Sequence, residues 1–241
     1  MTLPEALDAD SGVLAVVGAG GKKSTLYALA ARLDRAVVTA TVRIPIFDPE
    51  VAEVRVGDDL RSMLTDAENW PLGLVPERER EDRYRGYDPE IVADIAAAHD
   101  GPVLVKADGA RTRWLKAPDD REPQIPAVAD TVIPIASAKV VGKPLSAEHV
   151  HRPERVAAVT GREAGDRIRA EDAAHVLASD EAGLKGVPEG ATAIPVVNMV
   201  DDSALETVAR EIAGEVLARA DVPRVVLTRM VGDDPVVGVV E

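Results

Sequence analysis

The stretch Val13-Leu14-Ala15-Val16-Val17-Gly18-Ala19-Gly20-Gly21-Lys22-Lys23-Ser24-Thr25-Leu26 decides how the rest of this 241-residue chain reads. Five apolar residues, Val13–Val17, predict a short buried strand. Glycines then allow a tight turn, and Leu26–Leu33 continues with helical spacing and alanine-rich propensity. A strand, a glycine loop and a helix in that order turn successive backbone N–H groups toward one point, with no Cβ in the way. The helix adds its positive N-terminal end, so the loop suits an anion. Lysine and hydroxyl side chains at its end narrow the anion to the phosphates of a nucleotide. Lysine neutralises β/γ-phosphate charge, and a Ser or Thr hydroxyl ligates Mg²⁺.

Gly18, Ala19, Gly20, Gly21, Lys22, Lys23, Ser24 and Thr25 are therefore the candidate nucleotide-binding residues. Two registers compete on the pattern G-x-x-x-x-G-K-[ST]. Lys23-Ser24 as the final pair leaves Lys22 and Val17 at the glycine positions. Lys22 as the essential lysine restores Gly21 but puts Lys23 in place of the hydroxyl residue. Lys23 with Ser24 is preferred, because Lys-Ser-Thr-Leu running into a helix is the commoner arrangement. A dinucleotide G-x-G-x-x-G site is disfavoured, since Lys23 holds the third glycine position.

Outward from this stretch, apolar runs alternate with helical segments. Ala36–Ala40, Val103–Ala107, Val132–Ala136, Ala193–Val197 and Val225–Thr228 read as strands. Pro89–His99, with Asp88 as N-cap, Ala170–Ser179 and Ser203–Ala220 read as helices. The alternation predicts an α/β protein, three-layered around a mainly parallel sheet, with P-loop NTPase-like architecture. One domain over residues 1–241 is expected, with an inserted segment around 60–90 and a functional loop 108–126. Within these, Trp70–Arg85 reads as a solvated excursion, and Arg111–Pro126 as a long loop of the kind that often carries function.

Composition sets the outer bounds. Hydrophobic residues make up 46% and aromatics 2%, so the core must be aliphatic. The absence of cysteine excludes disulfides, thiolate zinc sites and cysteine nucleophiles. Met1–Gly12 lacks the pattern of a secretory signal, and no run approaches the ~20 apolar residues of a membrane span. A cytoplasmic protein without membrane contact is expected. A formal charge of −14 disfavours nucleic acid as partner. With 7 Lys against 21 Arg and abundant acid, the surface resembles that of proteins from salt-loving microbes.

A second motif, Val103-Leu104-Val105-Lys106-Ala107-Asp108-Gly109-Ala110, is an apolar strand ending in a carboxylate. Beside a phosphate loop, such an Asp holds Mg²⁺ opposite the Ser/Thr ligand, which makes Ser24 and Asp108 the candidate metal residues. Arg111, Arg113 and Lys116 follow closely, where a cation can stabilise a transferring phosphoryl group or bind an anionic second substrate. Lys23, Lys116, Arg111 and Asp108 are the candidate catalytic set. His151 and Arg152 suit phosphate or substrate binding better than a metal. Thr39 and Thr41 stand where related NTPases place switch residues. Val197-Asn198-Met199-Val200-Asp201 offers Asn198 and Asp201 for a guanine edge, or an ordinary strand-to-helix turn, so ATP and GTP remain alternatives.

The order Val17-Gly18-Ala19-Gly20-Gly21-Lys22, Ala107-Asp108-Gly109-Ala110, Leu115-Lys116-Ala117-Pro118, Glu122-Pro123 and Ile125-Pro126 resembles the selenium-dependent hydroxylase accessory protein family, YqeC. Gly142-Lys143-Pro144-Leu145 and Val150-His151-Arg152-Pro153-Glu154 extend the resemblance. Lys106 stands where that family carries Glu, and Met199 where its Asn-Lys-x-Asp-like stretch carries Lys. The resemblance implies a phosphate-loop NTPase-like protein, associated with maturation of selenium-dependent molybdenum hydroxylases. The expected ligands are Mg²⁺ and ATP or GTP, and the expected partner is a molybdenum hydroxylase or molybdenum-cofactor client. Two activities follow from it: a Mg²⁺-dependent NTPase or nucleotide-dependent transferase, and a nucleotide-switched binding module with little catalysis of its own.

Overall fold

The computed structural model describes residues 1–241. In chain order the strands are β1 (Val13–Gly18), β2 (Val37–Ala40), β3 (Ile44–Pro45), β4 (Glu53–Val56), β5 (Leu72–Val75), β6 (Arg83–Tyr84) and β7 (Val103–Lys106). They continue with β8 (Leu115–Lys116), β9 (Thr131–Ser137), β10 (Val150–His151), β11 (Thr192–Ala193), β12 (Val196–Asn198), β13 (Val225–Thr228) and β14 (Val236–Val240). The helices are α1 (Leu3–Ala6), α2 (Lys22–Ala30), α3 (Leu60–Thr65), α4 (Ile91–Ala97), α5 (Pro153–Thr160), α6 (Ala170–Ala178) and α7 (Ser203–Leu217).

Ten strands form one sheet in the order β14-β13-β12-β9-β1-β7-β2-β5-β4, with β11 against the start of β9. Every pairing is parallel except β13 with β14. Helices cover both faces, giving the three-layer α/β arrangement that the alternation predicts. β1 shows why: Leu14 and Val16 pack into one apolar cluster with Leu26 and Leu29 of α2. Val13, Ala15 and Val17 pack into another with Ile95 of α4. A strand buried on both faces reads as a continuous apolar run rather than an alternating one.

Most predicted strands lie within a residue or two of their expected bounds, but the helix expected over Leu26–Leu33 runs Lys22–Ala30, starting directly at its Gly21 cap. Three other segments differ for identifiable reasons. The strand expected at Ala193–Val197 is split into β11 and β12, because Pro195 has no N–H to give the ladder. The helix expected from Pro89 begins at Ile91, with Glu90 as N-cap. Trp70–Arg85 is not wholly a solvated excursion, since Leu72–Val75 is a fully buried strand of the central sheet.

The topology places the site. β1 lies between β7 and β9, and the chain leaves it toward opposite edges of the sheet. Open α/β sheets bind ligands at such a switch point, beyond the carboxyl ends of the strands. Gly18 closes β1 there, Asp108 follows β7, and Ser137 closes β9.

Candidate functional site

The glycine loop is held from three sides. Gly18 (φ 88°) donates its N–H to Asp108 Oδ2 at 2.9 Å, and a Cβ at Gly18 would collide with the Ile135 carbonyl. Ala19 N–H donates to Ile135 O at 2.8 Å. The buried Asn198 donates through Nδ2 to Gly20 O at 2.8 Å and accepts from Thr228 Oγ1 at 3.0 Å, tying the loop to β12 and β13. Gly21 (φ 134°) caps α2, and a Cβ on it would run into that Asn198 amide. The first helical bond of α2 runs from Thr25 N to Gly21 O, and the amides of Gly20, Gly21, Lys23 and Ser24 find no acceptor in the loop. A row of free amides at a helix N-terminus is an anion site in waiting.

Lysine charge converges behind it. Lys22 is buried at the first position of α2, hydrogen-bonded to the Gly18 carbonyl, with Nζ 2.9 Å from Asp108 Oδ1. That approach is ionic only: Oδ1 receives no hydrogen bond of proper angle. Lys116 Nζ, from β8, donates to Asp108 Oδ2 at 2.8 Å, Gly109 O at 2.6 Å and Glu122 Oε2 at 2.8 Å. Lys106 Nζ, from the end of β7, has one partner, the Arg43 carbonyl at 3.0 Å. Of 7 lysines in the chain, these three are the buried ones, and all gather at one strand end. In a chain that otherwise uses arginine for positive charge, that concentration is specific to the site.

The protonation states follow. Burial alone would raise the Asp108 carboxyl, but Lys22 and Lys116 outweigh it and hold the group ionised, below the usual carboxylate range. Glu122 behaves alike: burial raises it, and Lys116 and Arg152 lower it further. Lys106 has no carboxylate against it; burial, with repulsion from Lys22, brings its ammonium down to about 7. With every group charged, three buried lysines would face two carboxylates, but burial lowers the ammoniums of both Lys22 and Lys106, so the excess positive charge is only partial until an anion arrives.

Against the expectations, the structure turns Lys22 inward to Asp108, while Lys23 is half-exposed and Ser24 exposed on the first turn of α2. Thr25 is buried, its hydroxyl donated to Gly21 O at 3.2 Å. Ser24 makes no contact with Asp108, whose Oδ2 already receives Gly18 N and Lys116 and whose Oδ1 faces Lys22. No three His, Cys, Asp or Glu side chains converge anywhere as a metal site. This donor set does not fit a protein-held Mg²⁺, since a cation at Asp108 would sit among ammonium groups.

Lys116 is brought to Asp108, whereas Arg111 lies exposed farther along the same loop. Asp201 is exposed and pairs with Lys139 at 2.5 Å, and Asp202 is the N-cap of α7, accepting from Leu205 N at 2.8 Å. Thr39 spends its hydroxyl inside the sheet on Leu74 O, and Thr41 on Gln124 O. Sequence reasoning missed Lys106 as a site residue. The available signal was a lone charge ending an apolar run, one residue pair before Asp108.

Comparison with known proteins identifies the family. A family model described as "YqeC protein" matches residues 14–154, a span that includes the glycine loop, Lys106, Asp108, Lys116, Glu122 and Arg152. The chain belongs to the YqeC family. The "Uncharacterized protein YqeC" of Escherichia coli (strain K12) is 30% identical over 209 residues, covering 81% of each chain. No solved structure matches the chain significantly. No helix is long and apolar enough to cross a membrane.

Proposed function

We propose that this YqeC-family protein binds a nucleoside triphosphate, ATP or GTP, with its phosphates on the amides of Gly20–Ser24. In this reading lysines of the chain, not a protein-held metal, neutralise the phosphate charge. The observation that carries it is the pairing of free loop amides with three buried lysines around a single strand end. A phosphate oxygen replaces Asp108 as the partner of Lys22 and gives Lys106 the counter-ion it lacks. Mg²⁺ then arrives as part of the nucleotide ligand rather than on Ser24 and Asp108.

The occupied state of Asp108 favours the binding-module activity over turnover. Even after a phosphate takes Lys22, Asp108 Oδ2 still accepts from Gly18 N and Lys116, which keeps the carboxylate ionised and engaged rather than placed as a general base. The family resemblance supplies the client class, a molybdenum hydroxylase under maturation. The test is a thermal-shift series with ATP, GTP and CTP, each with Mg²⁺ and with a chelator. Stabilisation that persists in chelator supports the reading, because a ligand bound only by the folded state raises its midpoint. No stabilisation by any nucleotide would sink it, and stabilisation only with Mg²⁺ would sink the lysine-neutralised form. For the client, a molybdenum hydroxylase isolated from cells lacking this chain should be under-active.

A further inference from the structure

A second cleft, of about 320 Å³, lies beside the loop after β7 and the start of α5. Arg111, Arg113, His151 and Arg152 line it, with Glu154 as its one carboxylate. Its size falls within the range of small-ligand pockets. The guanidinium of Arg113 reaches only carbonyls, Ala147 O at 2.6 Å and Arg111 O at 3.2 Å. Arg111 is exposed and forms no ion pair, and its backbone carbonyl serves as an acceptor for Arg113.

The backbone here is also under strain. Arg111 (φ 47°), Thr112 (φ 60°) and Arg152 (φ 59°) are three of the six non-glycine residues in the chain with positive φ. Observed strain of this kind points toward a functional constraint. It is worst for Thr112, whose branched Cβ crowds the left-handed region. The strained Arg111–Thr112 turn leads directly into Arg113, and neither Arg111 nor Arg113 forms an ion pair, whereas Arg152 is held by Asp119 and Glu122.

Arg152 joins the cleft to the phosphate loop. Its guanidinium binds Asp119 and Glu122 at 2.5 and 2.6 Å, Glu122 binds Lys116, and Lys116 binds Asp108. His151 stands opposite Lys116 in the β8–β10 pair, and burial, aided by Arg152 and Lys116, lowers its ring to about 4, leaving it a neutral hydrogen-bonding group.

We propose that this cleft is a second ligand site for a small molecule bearing a carboxylate or phosphate group, which the forks of Arg111 and Arg113 grip. Guanidinium suits both groups because its planar fork matches their paired oxygens. The site does not depend on what the glycine loop binds.

Equilibrium dialysis with labelled pyrophosphate and labelled citrate, at low salt, tests it on three proteins: wild type, Lys22→Met, and Arg111→Gln/Arg113→Gln. At least one probe should occupy a site that survives Lys22→Met and weakens tenfold or more in the double arginine variant. Arg111→Lys/Arg113→Lys should restore only part of it, since the charge returns without the fork. Arg111 is exposed and Arg113 half-buried, and unchanged circular dichroism and melting will show that the variants fold. Binding of both probes that is indifferent to the arginines, or no binding of either, overturns the proposal. Arginine-dependent binding with none sensitive to Lys22→Met would instead leave the cleft standing and count against the nucleotide reading.

Discussion

Replacing Asp108 with Asn separates a carboxylate that holds a metal from one that restrains lysines. Asp108 is 2% exposed and sits between Lys22 and Lys116, which are also buried. Asn keeps the shape but removes the charge, leaving three lysines with Glu122 alone. Removing one partner of a buried ion pair costs about 3–5 kcal/mol. For a chain of this length each kcal/mol moves the midpoint by about 2–4 °C, so the ligand-free midpoint should fall by about 6–20 °C. A nucleotide reverses part of that loss, because its phosphates supply the missing negative charge to amines no longer held by Asp108. The melting increment produced by ATP or GTP should therefore be at least as large in Asp108→Asn as in wild type. Differential scanning fluorimetry across a nucleotide titration, in chelator, measures both quantities. A folded Asp108→Asn protein whose nucleotide increment in chelator has vanished would refute the reasoning, and an additional increment that wild type shows only with Mg²⁺ and Asp108→Asn loses would restore Asp108 as a metal ligand.

Lys22→Met should weaken nucleotide binding by about 10- to 150-fold, the loss of one charge-assisted hydrogen bond of about 1.5–3 kcal/mol. Lys23→Met, half-exposed and screened, should cost about fivefold or less, so calorimetry that ranks the two the other way contradicts the assignment. Lys106 titrates near 7 while free, and an anion beside it favours the charged form. Nucleotide binding at pH 8 should thus take up close to one proton, and affinity should fall as pH rises above 7. Titrations in buffers of different ionisation heat count that proton, which Lys106→Met should abolish. Asn198→Ala leaves Gly20 O and Thr228 Oγ1 without their partner, at about 1–3 kcal/mol. It should lower the melting midpoint and weaken nucleotide binding together; a change in stability alone would make Asn198 a core residue without a role in shaping the loop.

Much of the fold was legible because its strands are buried on both faces. β1, β7 and β13 are continuous apolar runs bounded by glycine, proline or charge, and each sits where that pattern puts it. α7 was legible from Asp202 as a cap and from Ala209, Ile212, Ala213 and Val216, which recur on one face. β5 was not, because its three apolar residues are broken by Gly73 and flanked by prolines and charge, and their burial comes from β2 and β4, distant in sequence. β14, an antiparallel edge of half-buried valines, carries little to set it apart from a loop.

The site was legible as two motifs but not as one network. Spacing favoured Lys23 over Lys22, and only the direction of the first helical turn, fixed by Gly21 at the cap, puts Lys22 inside. The bonds from Lys116 to Asp108 and from Arg152 to Glu122 cross turns with strained backbone, which no local pattern encodes.

The most direct test of the central claim is isothermal titration of the wild-type protein with ATP and with GTP, in chelator and again with Mg²⁺. The account predicts one nucleotide bound per chain in both conditions, with Lys22→Met abolishing most of the affinity. Heat of binding that appears only with Mg²⁺, or none for either nucleotide, would contradict it.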